Sequence, residues 1–306
     1  MKICVVGYGT VGKAVCAGLD KVDEFDYIIV DNQGEHKKTT LKDNVSSCDA
    51  VIICISTPLA KDDDGIPCLD DSGVMRTINK INSYTESPIP ILLKSTVNIQ
   101  TLADFKYRGL TNVCYSPEFL RNDSSVEDFL SETKFIIGGD MEQAQGWANV
   151  FSQFQPIKDE AFLDIVEAGI VKFAENAFLA MRVTFFNDLY NFVEGLEWTS
   201  HGPEGEEDFT AYEVDYDSIV YALGLDDRIG HSHNQVPGPD GKYGWAGHCL
   251  PKDTTAFLEF SKILGTPLKL LEYVIELNKH HRFEQLHGEE SRKDCNFKKY
   301  EILDNS

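Results

Sequence analysis

The chain is poor in positive charge. It has 28 lysines and arginines against 50 aspartates and glutamates, which gives a formal net charge of −22 over 306 residues. Nucleic-acid phosphates and anionic membrane surfaces are bound by clustered Lys and Arg side chains, so this balance argues against both kinds of partner. An anionic small-molecule substrate would have to be met by a local pocket of positive charge.

The sequence also lacks long apolar runs and paired cysteines. No run approaches the roughly 18 residues that a membrane span needs, and the N-terminal residues do not have the pattern of a cleavable signal. The eight cysteines are spread singly, and no CxxC or His/Cys cluster indicates a metal site. We therefore expect a cytoplasmic protein with reduced thiols and no metal, long enough for one large domain or two ordinary ones.

The first residues have the pattern of a dinucleotide site. The apolar run Lys2–Val6 is followed by Gly7-Tyr8-Gly9-Thr10-Val11-Gly12 and then by a helical pattern. These glycines permit a tight turn and the close approach of a pyrophosphate, which the helix N-terminus stabilises. Asp31 ends the next apolar run, where its carboxylate can accept hydrogen bonds from a ribose diol and repel a 2′-phosphate. The pattern predicts NAD binding in preference to NADP, and the alternative is a Gly-rich turn in an unrelated α/β domain.

Further apolar runs alternate with helical patterns through residue 155. They are Ala50–Ile55, Ile89–Leu93, Asn112–Tyr115 and Lys134–Ile137. This alternation predicts an α/β fold with a Rossmann-type, doubly wound parallel sheet over residues 1–155. Several runs end in polar turning segments: Ser56-Thr57-Pro58, Lys94-Ser95-Thr96 and Ser116-Pro117-Glu118. Ligands of such sheets bind beyond the carboxyl ends of the strands, although ordinary loop chemistry explains these residue types equally well.

The helical periodicity of residues 156–282 predicts a mainly helical domain. This domain is built on one long central helix, from about Phe162 to Val193. Lys172 and Asn176 are four residues apart and share a face of that helix, where they could stabilise an oxyanion or simply form a polar flank. Residues 197–213 are expected to form an acidic loop insertion, and Thr266–His281 a second helix whose two final histidines are solvated. Residues 283–306 are expected to be a polar tail.

The segment Gly247-His248-Cys249-Leu250-Pro251-Lys252-Asp253 places a thiol beside a lysine and an aspartate. A thiol is useful to a dehydrogenase when an aldehyde must be held and oxidised again. The thiolate adds to the aldehyde, the adduct loses a hydride, and water cleaves the resulting thioester. A nearby lysine favours the thiolate. A cysteine in such a context is, on its own, more often structural.

Taken together and in this order, the motifs resemble the UDP-glucose/GDP-mannose dehydrogenase family. The resemblance covers residues 1 to about 282. It rests on the segments quoted above together with Val97, Phe119-Leu120-Arg121, Asn176-Ala177-Phe178-Leu179-Ala180 and Arg228-Ile229-Gly230. It implies an enzyme that binds NAD and oxidises the C6 alcohol of a nucleotide sugar to a carboxylate in two steps, most closely a UDP-glucose 6-dehydrogenase.

The resemblance also implies a role for each matched residue. Cys249 would be the nucleophile, and Lys172 and Asn176 would stabilise oxyanions. Asp253 and Thr96 would hold a water that Glu118 activates as a general base. The cofactor would contact Gly7, Tyr8, Gly9, Thr10, Val11, Gly12, Asp31, Ser56, Thr57, Pro58, Ser95 and Lys252. The sugar nucleotide would contact Phe119, Leu120, Arg121, Gly247 and Arg228.

Several features depart from the family pattern. Asn122 stands where a second glutamate is usual, and His248 replaces a small polar residue next to the thiol. The family's third domain has no counterpart, so a short form is expected. Arg228 would reach its substrate across a dimer interface, and we expect a homodimer formed through the long helix.

Two other functions fit the residues. One is a β-hydroxyacid-type dehydrogenase, which shares the Lys-x-x-x-Asn pair but transfers a single hydride without a thiol. The other is a non-catalytic NAD-binding module.

Overall fold

The computed structural model describes residues 1–34, 36, 39–62, 65–120, 125–198 and 214–287. The chain divides into two compact units, one spanning Met1–Glu175 and the other beginning at Asn176. This division falls within a long helix. The sequence pattern places the domain boundary after residue 155, and that boundary stays a prediction.

The first unit is built on a seven-stranded sheet. Its strands are β1 (Lys2–Val6), β2 (Asp26–Val30), β3 (Ala50–Ile53), β6 (Ile91–Leu93), β7 (Val113–Tyr115), β8 (Lys134–Gly138) and β9 (Asp159–Leu163). The order is β2-β1-β3-β6-β7-β8-β9. The first five run parallel, whereas β8 is antiparallel to β7 and parallel to β9. Strands β4 (Leu59–Lys61) and β5 (Pro67–Leu69) form a separate hairpin.

Helices cover both faces of this sheet. They are α1 (Thr10–Leu19), α2 (Leu41–Asn44), α3 (Ser72–Tyr84), α4 (Ile99–Tyr107), α5 (Ser125–Ser131) and α6 (Met141–Phe151), with a 3₁₀ turn at Val45–Ser47. Alternate residues of β1 pack into different apolar cores. Ile3 and Val5 belong to one core, and Cys4 and Val6 belong to the other. A strand buried on both faces reads as a continuous apolar run, and this is the run from which the sheet was predicted. The α/β fold class is confirmed.

The second unit is helical in its described part. Its helices are α7 (Ile165–Trp198), which begins in the first unit, α8 (Tyr216–Gly224), α9 (Cys249–Ile263) and α10 (Lys269–His287). The long central helix is therefore present, with 34 residues. The acidic loop predicted at 197–213 begins later than expected, because residues 197 and 198 belong to α7, and residues 199–213 lie outside the described residues. The first residues of the tail predicted at 283–306 belong to α10, and residues 288–306 lie outside the described residues. Among the described helices, none combines the length and apolarity of a membrane span.

Three expectations are corrected. The parallel sheet ends in two strands that run the other way. The long helix starts at Ile165 instead of Phe162, because residues 159–163 pair with β8 as a strand. His281 is buried, with Nε2 3.2 Å from the carboxylate of Asp188, and is not a solvated residue.

Candidate active site

The Gly-rich turn between β1 and α1 has the shape of a phosphate cradle. Gly7 has φ +97°, and a Cβ at this position would lie 2.6 Å from the carbonyl oxygen of Cys54. A Cβ on Gly12 would collide with the carbonyl of Gly7. Gly9, at the start of α1, faces open space, and a Cβ there would meet nothing within 4 Å. The turn therefore requires glycine on its inner side and leaves room for a pyrophosphate at the helix N-terminus.

Asp31 is fixed beside this turn. One of its carboxylate oxygens accepts the backbone N–H of Tyr8 at 2.6 Å, and the other accepts that of Gln33 at 2.7 Å. A carboxylate can accept about four hydrogen bonds, so both oxygens keep capacity for ribose hydroxyls. The turn and Asp31 together fit a dinucleotide.

The other predicted cofactor contacts lie where β3 and β6 end. Ser56 and Pro58 are exposed after β3, while Thr57 is buried. Ser95 is buried after β6, and its hydroxyl donates to the carbonyl of Ile53 at 3.4 Å. Because β1, β3, β6 and β7 are parallel neighbours, their carboxyl ends meet at one edge of the sheet.

Glu118 follows β7 at this edge and is held by two lysines. Lys94 Nζ lies 3.1 Å from Glu118 Oε2. Lys172 donates to the backbone carbonyl of Glu118 and lies 4.8 Å from the ring centre of Phe119. Two ammonium groups and a carboxylate thus form one polar cluster in the first unit. Thr96, the predicted water-holding residue, is half-buried in the loop after β6.

A second cluster surrounds Asp253 in the second unit. Its carboxylate, 1% exposed, accepts a hydrogen bond from Asn176 Nδ2 at 2.6 Å and pairs with Lys252 Nζ at 2.7 Å. Cys249 is the first residue of α9 and is exposed. Asp253 is four residues further along and therefore lies one turn away on the same face. Lys252, predicted to contact the cofactor, has this carboxylate as its partner.

The loop before Cys249 is pinned by an asparagine. The side chain of Asn278 accepts the N–H of Trp245 at 2.7 Å and donates to its carbonyl at 2.9 Å. A Cβ on Gly244 would collide with the same amide. Gly247, a predicted substrate contact, has φ +85° and open space beside it. The amide of Asn278 thus fixes the path of the chain towards the thiol.

The remaining predicted substrate residues are separate from these clusters. The guanidinium of Arg228 binds Asp226 through three contacts, from Nε to Oδ1 at 3.0 Å, from Nε to Oδ2 at 3.2 Å and from Nη2 to Oδ2 at 2.6 Å. Its side chain is otherwise exposed. Leu120 packs against the sheet core, whereas Arg121 and Asn122 lie outside the described residues.

Two polar residues of these clusters were not singled out from the sequence. Lys94 follows the apolar run of β6, and a lysine at the end of a buried strand is the signal that could have identified it. Asn278 had no such signal, since a single asparagine in an amphipathic helix is ordinary. Within the described ranges, no group of three or more His, Cys, Asp or Glu side chains is placed to hold a metal ion.

Comparison of the sequence with known families decides the assignment. Residues 32–155 match the NAD-binding domain of the UDP-glucose/GDP-mannose dehydrogenase family, and residues 207–280 match its central domain. The chain belongs to this family. The first match begins after the Gly-rich turn, so the assignment of that turn rests on its own geometry.

Relatives and solved structures agree with this assignment. UDP-glucose 6-dehydrogenase TuaD of Bacillus subtilis is 28% identical over 243 residues, which are 78% of this chain and 48% of that protein. The chain thus spans about half the length of this curated relative. A UDP-glucose dehydrogenase structure from the archaeon Pyrobaculum islandicum superposes with a TM-score of 0.72 at 23% identity, over 91% of this chain and 68% of that one.

The fold is shared more widely. A 3-hydroxyisobutyrate dehydrogenase of Mycobacterium tuberculosis superposes with a TM-score of 0.68 at 14% identity, over 92% of this chain and 94% of that one. At these identities the superpositions establish the fold alone. The chemistry has to be inferred from the side chains.

Proposed function

We propose that this protein is a nucleotide-sugar 6-dehydrogenase, most closely a UDP-glucose 6-dehydrogenase. It would oxidise a sugar C6 alcohol to a carboxylate through a sulfur adduct on Cys249. The observation that carries this proposal is an exposed thiol at the start of α9, one turn from a buried aspartate that binds Asn176 and Lys252. A dehydrogenase that transfers one hydride has no use for this thiol.

NAD is the proposed cofactor. The Gly7–Gly12 turn would hold its pyrophosphate, and Asp31 would hold its adenosine ribose, with Ser56–Pro58 and Ser95 on the same edge of the sheet. NAD supplies hydride acceptance, twice for each substrate molecule. The proposal is supported by the family's NAD-binding domain and by the fit of the Gly-rich turn to a phosphate.

The first oxidation removes a proton and a hydride from the C6 alcohol and leaves an aldehyde. The sulfur of Cys249 adds to the aldehyde carbon, which forms a C–S bond and a thiohemiacetal oxyanion. Lys172 and Asn176 would stabilise this charge by donating hydrogen bonds, as oxyanion-hole donors do. Loss of the second hydride converts the adduct into a thioester.

Hydrolysis completes the reaction. Thr96 and Asp253 would hold a water molecule. Glu118 would take a proton from this water, and the water oxygen would bond to the thioester carbon. The C–S bond then breaks, the sulfur leaves as thiolate, and the sugar carboxylate is released. A positioned carboxylate base typically contributes about 10²–10⁴-fold to such a proton transfer.

The β-hydroxyacid-type reaction remains the alternative with a specific observation in its favour. A 3-hydroxyisobutyrate dehydrogenase shares the fold over nearly all of its length. Such an enzyme would transfer one hydride, and replacing Cys249 would leave it active. A non-catalytic module would bind NAD without any turnover.

The proposed partner is a second copy of the chain, bound through α7, with the protein acting in the cytoplasm. Phe178, Phe185 and Phe192 are 58–63% exposed and recur every seven residues along α7. Seven residues are two helical turns, so the three rings form one apolar stripe. A second copy would bury this stripe and would provide the shared interface that the assignment of Arg228 to the substrate requires.

The proposal is tested by assaying NADH formation from UDP-glucose and NAD with the wild type, Cys249→Ser and Cys68→Ser. We expect turnover by the wild type and by Cys68→Ser, whose thiol is part of the β4–β5 hairpin. Cys249→Ser is expected to lose turnover by at least about 10²-fold, since the hydroxyl is a much poorer nucleophile. Full activity of Cys249→Ser would favour the single-hydride reaction.

A further inference from the structure

Lys94 is a buried cation with no place in the reaction described so far. It follows the buried residues Ile91–Leu93 of β6 and is 6% exposed. Burying an ammonium group is costly unless it is paired and hydrogen-bonded. The groups that Lys94 contacts therefore indicate its role in the site.

The ion pair and the side-chain hydrogen bonds described for Lys94 are on the short segment that follows β7, and its ammonium group also lies 5.5 Å from the ring centre of Phe151. Its Nζ lies 3.1 Å from Glu118 Oε2, 3.2 Å from Ser116 Oγ and 3.4 Å from the carbonyl oxygen of Pro117. Three contacts on three consecutive residues fix both the path of this segment and the rotamer of its carboxylate. The other oxygen of Glu118 accepts the backbone N–H of Phe119 at 3.1 Å.

Lys172 holds the same residue from its backbone side, because it donates to the Glu118 carbonyl. Lys172 thus binds the main chain of Glu118, and Lys94 binds its carboxylate. A small cavity is lined by Lys94 and Glu118, together with Glu132, Lys134 and Gln155. Lys134 shares this cavity but is exposed and contacts the ring of Phe119, with Nζ 6.0 Å from the ring centre.

We propose that Lys94 is a positioning residue for thioester hydrolysis, which holds the Glu118 carboxylate in one orientation. This inference rests on the proposed function, in which Glu118 accepts the proton of the attacking water. Neither hydride transfer nor formation of the C–S bond needs that carboxylate. Loss of Lys94 should therefore slow the last step selectively and let the thioester accumulate on Cys249.

The test compares the wild type with Lys94→Gln and with Lys134→Gln as the matched control from the same cavity. Rapid mixing with excess UDP-glucose and NAD gives the NADH burst and the steady rate, and mass spectrometry of the acid-quenched protein detects a sugar ester on Cys249. For Lys94→Gln we expect a burst of two NADH per active subunit, a steady rate at least about tenfold lower, and the ester. Lys134→Gln should behave as the wild type.

Two results would overturn the inference. A burst and a steady rate that fall in the same proportion, without ester, would mean that Lys94 only supports folding. An unchanged Lys94→Gln would mean that the ion pair has no part in hydrolysis. If Lys94→Gln does not fold, Lys94→Arg is used, which keeps the charge but alters its position and should show the same selective slowing to a smaller extent. A wild type that forms no NADH contradicts the proposed function instead, and this outcome is recognised before any variant is compared.

Discussion

At the scale of single residues, burial distinguishes Cys249 from the other described cysteines. Burial in the sheet core raises the pKa of the thiols of Cys4, Cys16 and Cys114 to about 12, and it also raises the pKa of Cys54. Thiols of this kind carry almost no thiolate at neutral pH and react slowly. Cys249 is exposed at a helix N-terminus, so the nucleophile of the proposed reaction is also the thiol that reagents can reach.

Alkylation should report this difference directly. We expect iodoacetamide at pH 8 to label Cys249 within minutes, while the four core thiols label only after denaturation. Peptide mapping by mass spectrometry gives the extent at each site. Labelling of Cys54 in the native protein as fast as that of Cys249 would contradict the buried environment described for it.

Asp253 should be important for stability as well as for catalysis. Asp253→Ala leaves Asn176 and Lys252 without their buried partner, so we expect a loss of about 3 kcal/mol in the free energy of unfolding. Urea unfolding followed by circular dichroism measures it. Asp226→Ala is the matched control, because it removes an aspartate paired with an exposed arginine and should leave the unfolding midpoint unchanged. Equal effects of the two substitutions would contradict the burial of Asp253.

Local chemistry explains which site residues could be predicted. Cys249 was singled out because a thiol suits an aldehyde that must be oxidised again, whereas the role of Asp253 was implied by the family resemblance. The structure places the two residues one turn apart. The roles assigned to them remain predictions. Lys94 could have been noticed as a lysine that ends a buried strand, but its partner Glu118, 24 residues away, is not revealed by spacing. The same holds for Trp245, the partner of Asn278 33 residues away.

At the scale of elements, the start of α7 is set by a reciprocal cap. The carboxylate of Asp164 accepts the N–H of Val166 at 3.0 Å, and Glu167 accepts the N–H of Asp164 at 2.9 Å. This is the capping-box arrangement, and its acidic pair three residues apart was readable in the sequence. The apolar residues of β9 obscured it, since a short apolar run before a helix fits either a strand or an earlier helical turn.

The cap predicts a pH-dependent contribution to stability. The pKa of Asp164 lies below its ordinary value. Burial raises this pKa, but the ion pair with Lys106 and the hydrogen bond from the N–H of Val166 together lower it by more. A lowered carboxylate pKa stabilises the fold above the unfolded value of about 3.9, and this contribution is lost as the pH falls through the folded pKa. Asp164→Ala should cost about 1 kcal/mol at pH 7, and the difference from the wild type should shrink below about pH 4. Urea unfolding at pH 7 and pH 3 measures this, with Asp159→Ala as an exposed control on the preceding strand. A difference that stays constant with pH would contradict the ionic part of the cap.

The apolar stripe on α7 predicts the state of assembly. Phe185→Lys places a charge in the middle of the stripe, so we expect the variant to sediment as a monomer where the wild type sediments as a dimer. Tyr107→Lys is the matched control, because Tyr107 is an aromatic residue that is 92% exposed and lies on α4, away from the stripe. A wild type that is monomeric at micromolar concentration would contradict the proposed interface.

At the scale of the whole molecule, the two parts of the chain differ in how far the sequence predicted them. The sheet of the first unit was predicted strand by strand, except for the β4–β5 hairpin and β9, because buried parallel strands leave continuous apolar runs. The missed strands β4, β5 and β9 are mostly exposed or half-buried, so they lack the continuous apolar run that revealed the buried three-residue strands β6 and β7. In the second unit, helical periodicity predicted the long helix α7 and the helix α10, whereas α8 and α9 were not predicted, and neither were the side chains that its loops bring together.

The acidic charge of the chain has a consequence at this same scale. A nucleotide sugar and NAD are both anionic, and a net charge of −22 repels them at long range. The described cations Lys94, Lys172 and Lys252 are all paired or hydrogen-bonded within the clusters that are proposed to act on the substrate. Positive charge is thus present where the chemistry is proposed to occur, although the chain as a whole is acidic.

In the proposed reaction, one substrate molecule is oxidised twice through Cys249. The most direct test is the yield of NADH, read at 340 nm, when a limiting amount of UDP-glucose is consumed to completion with excess NAD. We expect two NADH for each UDP-glucose, with a uronic acid as the only sugar product. A yield of one NADH, with an aldehyde or ketone as the product, would contradict it.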